Sequence, residues 1–382
     1  MNKILFICNH ASFFVSHRLK VAIEASRIFK VKLCLGQAAT DQENNALRIL
    51  KKKKISFKKF YFKTSSLNLL TELIGFFHLF LYVLIYRPSC THLISPKAIL
   101  YGGVISRLLN VHSVVISISG MGSIMNSEFI YLRKIYFFFL NYILSATNKK
   151  IIFHNKADLA FFKNKFKLKK SECILTFGSG VDFNKVKTIK NSFKENKSIT
   201  FPARALIDKG IIEFIKCAEI LKKKYPDWTF QIVGSLDYSS PMLLNKNIIY
   251  KHYKNNIIKI LGYKKNILNV IKKSSIICLP SYREGMPKVL LEASLLGKPI
   301  VTSNIPGCRE IVKLFQNGIL VKKKNINSLQ IGLEKLITNK ILLKRLKKKI
   351  NFLNFEKVSE DYVVKKNINC YLELQKNYFK QI

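Results

Sequence analysis

Short, wholly apolar stretches recur along the chain, separated by polar loops and by longer segments whose apolar positions fall three and four apart. KILFIC (3–8), VKLCLG (31–36), THLIS, HSVVISIS and KIIFHN (150–155) predict strands buried on both faces, as in parallel sheets covered by helices on each side. Between them a helix is predicted over roughly 16–29. LNLLTELIGFFHLFLYVLIY (67–86) predicts a long apolar helix ending before Arg87–Pro88, and FIYLRKIYFFFLNYIL (129–144) predicts another. GMGS (120–123) reads as a glycine turn after its strand. Around TFGSGVDFNKV (176–186) the alternation breaks into a turn-rich connector, followed by the polar KNSFKENK. A second alternating series then runs through SITFPA (198–203), a helix at 210–224, TFQIVG (229–234), NIIYKHY, IKILGY and SSIICLP (274–280). The tail, 359–379, reads as a helix. Two βαβ-rich halves joined near residue 190 place the chain in the α/β class, with domains at 1–190 and 191–358 and a terminal helix within 359–382.

At 382 residues, 48% hydrophobic and 12% aromatic, the chain is globular and long enough for two cores. Its 66 Lys+Arg against 22 Asp+Glu give a formal net charge of +44. Lys, Asn, Ile and Phe dominate throughout, so part of this excess reflects an AT-rich coding habit. The charge still draws the protein toward anionic membranes, phosphates or nucleic acid. The eight cysteines never form Cys-x-x-Cys, which suits buried thiols in a reducing cytoplasm. The N-terminus, interrupted by Asn9 and His10, does not read as a signal peptide. The apolar run 74–86 contains His78 and falls short of the ~20 residues a spanning helix needs.

Against such a basic background, carboxylates that share one loop and its helix stand out. SYREGMPKVLLEASLLGKPIV (281–301) places Glu284 in a loop after a buried strand and Glu292 in the helix that follows, with Pro287 at that helix's start and Gly297 at its stop. In open parallel sheets, ligands bind at the strand ends. FPARALIDKG (201–210) sets Arg204 and Lys209 on another strand-to-helix turn, beside helical N–H donors. Taken alone, an ordinary surface Arg and Lys is the default reading. Together, a cation pair and an acid pair on strand-end loops describe a site for a sugar joined to a diphosphate.

ARALIDKG, LPSYREGMPKVLLEA, GKPIVTSNIPGCREIV and NGILV, from about Phe201 to Val321, resemble the retaining nucleotide-sugar glycosyltransferases of family 4. The resemblance implies a GT-B fold: two Rossmann-like domains facing an interdomain cleft, with a C-terminal helix crossing back to the first. It makes 1–190 the acceptor domain and 191–358 the donor domain. Glu284 would then bind donor-sugar hydroxyls and Glu292 the ribose. Arg204 and Lys209 would neutralise the diphosphate, and the Gly285, Met286 and Pro287 segment would approach it closely.

FFVSHRLKVAIEA and SISGMGS are similar to the subgroup that extends undecaprenyl-diphosphate-linked sugars in capsule, O-antigen or glycan assembly. That similarity makes His17, Arg18, Gly120 and Gly122 acceptor-site candidates; a helix-capping surface pair is the alternative for His17 and Arg18. Many family members carry a catalytic-loop histidine where this chain has SISGMGS, and His112 is not assigned that role. The donor is expected to be UDP-linked N-acetylhexosamine. No Asp-x-Asp occurs, so Arg204, Lys209 and a helix N-terminus are expected to stabilise the leaving diphosphate with no metal cofactor.

Helix 67–86 reads as core, whereas Arg133 and Lys134 amid the aromatics of 129–144 also suit a helix lying in a membrane interface. The expected location is the inner face of the cytoplasmic membrane, held peripherally at an anionic surface. Two other readings compete. A nucleic-acid-binding protein would explain +44, but the bases are spread and no recognition signature stands out, so no nucleic acid is expected as a partner. A nucleotide-sugar epimerase would share the fold, but the glutamate pair argues against it.

Overall fold

The apolar runs that punctuate the chain are strands of two separate parallel sheets. The computed structural model describes residues 2–37, 40–60, 69–120, 130–189, 196–236, 243–347 and 355–379. The chain divides into one unit of Met1–Gly180 with Glu360–Ile382 and another of Val181–Ser359. The division falls earlier than residue 190, because Val181 already pairs with the second unit's last residues, bridging Ser359 and donating its N–H to Val358 O.

In the first unit, β1 (Lys3–Cys8), β2 (Lys30–Gly36), β3 (Phe57–Phe60), β4 (Cys90–Ile94), β5 (Ser113–Ile118), β6 (Lys149–Phe153) and β7 (Cys173–Leu175) form a parallel sheet of order β3-β2-β1-β4-β5-β6-β7. Its helices are α1 (Ala11–His17), α2 (Leu19–Ser26), α3 (Asp41–Lys52), α4 (Leu69–Tyr86), α5 (Pro96–Leu108), α6 (Ile130–Leu144) and α7 (Lys156–Lys165). The sheet is buried on both faces. One core joins it to α1, α2 and α3 and to the C-terminal helix through Cys370, Tyr371 and Leu374; the other joins it to α4–α7. Gly103 of α5 lets Ile143 of α6 pack closely: a Cβ there would lie 2.7 Å from the Ile143 side chain.

The single helix expected over 16–29 is two, broken at Arg18, whose φ of −136° leaves the helical region. The side chain at that break turns inward, as described below.

In the second unit, α8 (Phe183–Lys187) precedes β8 (Asn196–Phe201), β9 (Thr229–Ile232), β10 (Ile258–Ile260), β11 (Ser274–Leu279), β12 (Ile300–Ser303) and β13 (Gly318–Val321), in sheet order β10-β9-β8-β11-β12-β13. Between and after the strands lie α9 (Ile211–Lys224), α10 (Lys246–Lys254), α11 (Ile267–Lys273), α12 (Lys288–Leu295), α13 (Pro306–Phe315), α14 (Ile326–Thr338) and α15 (Lys340–Leu346). NIIYKHY, which continued the apparent strand series, lies in α10, where Ile249 is the buried position.

The final helix, α16 (Glu360–Phe379), packs on α2 of the first unit, with Lys20 Nζ 2.6 Å from Asp361 Oδ1. Each sheet therefore has a point where strand order reverses, between β1 and β4 and between β8 and β11. In open parallel sheets such reversal points are where ligands bind, at the strand ends.

Candidate functional site

At the β8–β11 reversal the loop after β8 and the loop after β11 are forced close together. Gly210 opens α9 with a φ of +79°, and a Cβ there would lie 2.2 Å from Pro280 O. A Cβ on Gly307, at the start of α13, would lie 2.1 Å from Gly285 O. Only glycine fits either position. Tyr282 N donates to Asp208 O at 2.9 Å, and Arg283 Nη2 reaches Asp208 Oδ2 at 3.3 Å, tying the two loops side by side.

This tie brings two of the expected site residues into direct contact. Lys209 Nζ donates to Glu284 Oε1 at 2.6 Å, and Ser281 Oγ donates to the same oxygen at 2.9 Å. Among the described residues both hydrogen bonds to Glu284 fall on Oε1. The carboxylate is thereby oriented with Oε2 remaining as an acceptor, and an ammonium keeps further N–H donors after one is used. Both groups are half-buried, which strengthens the pair beyond a surface ion pair.

Beneath them Tyr282 OH donates to Glu213 Oε1 at 2.7 Å. Burial, then that bond, push the phenol's pKa well up, so it stays a donor. The buried Cys308 thiol is likewise pushed up, first by burial and then by the nearby Glu284 charge.

The remaining expected residues lie on the same two loops and the helix that follows the second. Arg204 is exposed on the loop after β8, and Glu292 is half-buried within α12. Gly285, Met286 and Pro287 are buried, and Pro287 serves as the N-cap of α12. Ser281, Asp208, Glu213 and Cys308 escaped the sequence reading. The glycines of DKG and PGC were the available signal, since each marks a close backbone approach.

The first unit's edge is built differently. Arg18 is 2% exposed, which excludes a surface capping pair and leaves only His17 partly open to solvent. Arg18 Nη1 donates to His17 O at 3.0 Å, and Nη2 lies 2.7 Å from His154 Nε2; Nε has no partner among the described residues. Burial pulls the guanidinium's pKa down to about 10. Burial, and then Arg18, hold His154 well below the ordinary histidine value. His154 is therefore neutral and accepts through Nε2.

His17 Nδ1 lies 2.7 Å from Ser179 Oγ, on a turn made by Gly178 and Gly180 at φ +77° and +78°. Gly120, at φ +122°, lines a small pocket with Ser95, Ser117, Ser119, Tyr136 and Phe137. Ser95 itself holds φ +84°, a strained value for a residue with a Cβ, as is common at functional strand ends. Gly122 lies outside the described residues.

Two parallel units with these reversals define the GT-B fold. Residues 182–351 match the family model described as Glycosyl transferases group 1. An uncharacterized glycosyltransferase of Haemophilus influenzae is 31% identical over 228 residues, covering 59% of this chain and 61% of that relative. The match thus spans about three fifths of the relative's length.

Among solved structures, Anabaena Alr3699/HepE in complex with UDP-glucose superposes with a TM-score of 0.75 at 15% identity, over 98% of this chain and 100% of that one. Sucrose-phosphate synthase from Thermosynechococcus elongatus gives 0.75 at 13%, over 99% and 100%. S. aureus MnaA, solved with UDP, gives 0.69 at 14%, over 98% of each. At such identities the fold is what is shared. Residues 182–351, the part of the chain that resembles the group 1 glycosyltransferase model, include Lys209, Ser281 and Glu284.

Proposed function

We propose that this protein is a retaining glycosyltransferase that moves N-acetylhexosamine from a UDP-linked donor to a polyprenyl-diphosphate-linked glycan during assembly of a bacterial surface polysaccharide. The observation that carries the reading is the Lys209–Glu284 pair at the β8–β11 reversal, within the family-matched segment. A diphosphate at this strand end meets Lys209 and Arg204, while Glu284 Oε2 accepts from a sugar hydroxyl. Glu292, one helix turn or more along α12, is assigned to the ribose, and the Gly285–Pro287 backbone to the donor's close approach. UDP is preferred as the donor base because fold neighbours were solved with UDP and UDP-glucose.

In the transfer step an acceptor hydroxyl attacks the anomeric carbon as the bond to the diphosphate oxygen breaks. The hydroxyl proton passes to the departing phosphate on the same face, leaving a new glycosidic bond and UDP. Lys209 and Arg204 meet the charge that accumulates on the diphosphate, and preorganised donors of this kind contribute about 3 kcal/mol each. They fill the place a divalent metal takes elsewhere, so turnover is expected to persist in excess chelator.

His17, after β1, and Gly120, after β5, are assigned to the acceptor, with Arg18 acting through His17. No helix among the described residues is long and apolar enough to cross a membrane. Peripheral attachment through the +44 charge at the inner leaflet is therefore part of the proposal.

The test incubates membranes with labelled UDP-N-acetylhexosamine and separates organic-extractable from water-soluble product. Label entering a lipid-linked oligosaccharide, and lost with Glu284→Gln, supports the reading. Label confined to a soluble sugar or to protein overturns the lipid acceptor, and epimerised donor with no transfer overturns the transferase.

A further inference from the structure

Helix α4 was expected to be a core helix because it is apolar all round. The fold covers only one of its sides. Leu79, Val83 and Tyr86 pack into the sheet, while Leu70, Leu73, Ile74, Phe77, Leu81, Leu84 and Ile85 form a continuous exposed stripe, with Phe77 60% and Ile85 80% exposed. The acid on this helix, Glu72, is turned to α5, where it takes Lys97 Nζ at 2.7 Å and Tyr101 OH at 2.6 Å. α5 packs against both α4 and α6, and α6 carries a second exposed stripe through Tyr131, Ile135, Phe138 and Tyr142. An outward face this apolar is far more than scattered surface residues.

Cations lie beside both helices. Lys58 lies 5.1 Å over the Tyr82 ring, Arg107 lies 5.4 Å over Tyr142, and Arg87 ends α4. Between α6 and α7 runs a groove of about 620 Å³ with Arg133, Lys134 and Lys165 at its wall and Phe137, Phe138 and Phe161 along it. Among the described residues no carboxylate lines it, and Lys165 Nζ sits 4.5 Å from the Phe137 ring.

We infer that α4 and α6 together form a bilayer-docking face, and that the α6–α7 groove seats the phosphodiester headgroup of an anionic lipid. The inference rests on the membrane part of the reading above and deepens it. Charge selects the occupant: a second copy would set +44 against +44, whereas an anionic bilayer complements both the rim of cations and the apolar stripes. Lying in the interface plane, the stripes enter the acyl boundary while the basic residues stay at headgroup level.

Flotation of the purified full chain with vesicles tests this. The probes are phosphatidylcholine alone and phosphatidylcholine with about one third phosphatidylglycerol, the latter to supply anionic headgroups. The wild type floats with the anionic vesicles and is only partly released by high salt. Phe77→Asp with Ile85→Asp lowers the bound fraction at least tenfold, and the milder Leu81→Ser with Ile85→Ser lowers it less. Lys134→Ala with Lys165→Ala removes the preference for anionic vesicles but leaves part of the salt-resistant binding. Far-UV circular dichroism and a melting transition equal to wild type in each variant confirm that the first unit, which carries the substitutions, is intact.

Equal flotation of the aspartate variant, or a wild type that does not float, overturns the docking face. So does a dimer in solution that the aspartate pair dissociates. Vesicle binding without any UDP-sugar turnover would overturn the transferase reading and leave the face standing. Turnover on a short-chain soluble acceptor without vesicle binding would do the reverse.

Discussion

The two units repeat one architecture and equip its reversal point in opposite ways. At β8–β11 the charges are partly exposed and mutually compensated, a lysine on a glutamate with a serine behind it. At β1–β4 and its neighbours a lone guanidinium is buried among neutral groups, His154 and the His17 carbonyl. The first arrangement orients charge that a ligand can use. The second spends a buried cation on holding a histidine and a strand end in place, since a charge without a carboxylate partner is costly to bury. A parallel sheet thus supplies the location of a site, and the residues at its edge decide whether that site works by charge or by position.

The comparison breaks most visibly at Glu284. Glu284→Gln should lower turnover of UDP-N-acetylhexosamine at least a hundredfold with the melting temperature nearly unchanged, because the neutral amide cannot serve as an anionic acceptor. A steady-state assay beside a thermal melt reads both.

Next come the close approaches that shape the same edge. Gly210→Ala meets both a positive φ and a carbonyl 2.2 Å away, and should cost about 2 kcal/mol or more of stability in denaturant unfolding. Gly307→Ala presses on Gly285 O and should lower activity about tenfold or more by displacing the Glu284 loop, with a smaller stability loss.

The first unit's edge should answer to pH instead. His154 and His92, the latter inside β4 between Tyr371 OH and Ser117 Oγ, are both held below the ordinary value, primarily by burial. Below pH ~6.5 the unfolded chain therefore binds protons that the folded one does not, and stability falls with acidification. The limiting slope is about 1.4 kcal/mol per pH unit for each histidine. Melting curves between pH 7.5 and 5.5 should show the decline.

Arg18→Met gives the smallest effect. It removes one of the influences that lower His154, so the decline should become shallower while stability at neutral pH changes little, as when a buried charge is replaced by an apolar side chain of similar size. An unchanged pH slope would show that Arg18 does not set the histidine's charge.

Much of this was readable from residues alone. Strands wholly buried in parallel sheets announce themselves as unbroken apolar runs, and SSIICLP became β11 with its loop and helix where expected. The strand-end loops that carry Lys209 and Glu284 were readable because Gly and Pro bracket them. Glu213 and Tyr282 were not, because their contact spans 69 positions and neither carries a local signal.

The full burial of Arg18, which rules out the surface capping alternative, carries no sequence signal, because arginine is almost never fully buried. The outer stripe of α4 was misread for the converse reason. All-round apolarity describes a helix without saying which of its sides the fold covers, and only the packing of α5 against its flank settles that.

The central claim, that the β8–β11 edge holds the donor diphosphate, is tested most directly by isothermal titration of UDP into the full chain and two variants. UDP lacks the sugar, so it isolates the diphosphate contact from the sugar contact. Lys209→Met should weaken UDP binding at least tenfold, whereas Glu284→Gln, which frees the ammonium from its carboxylate, should leave binding equal or tighter. Equal affinity for wild type and Lys209→Met would contradict the account.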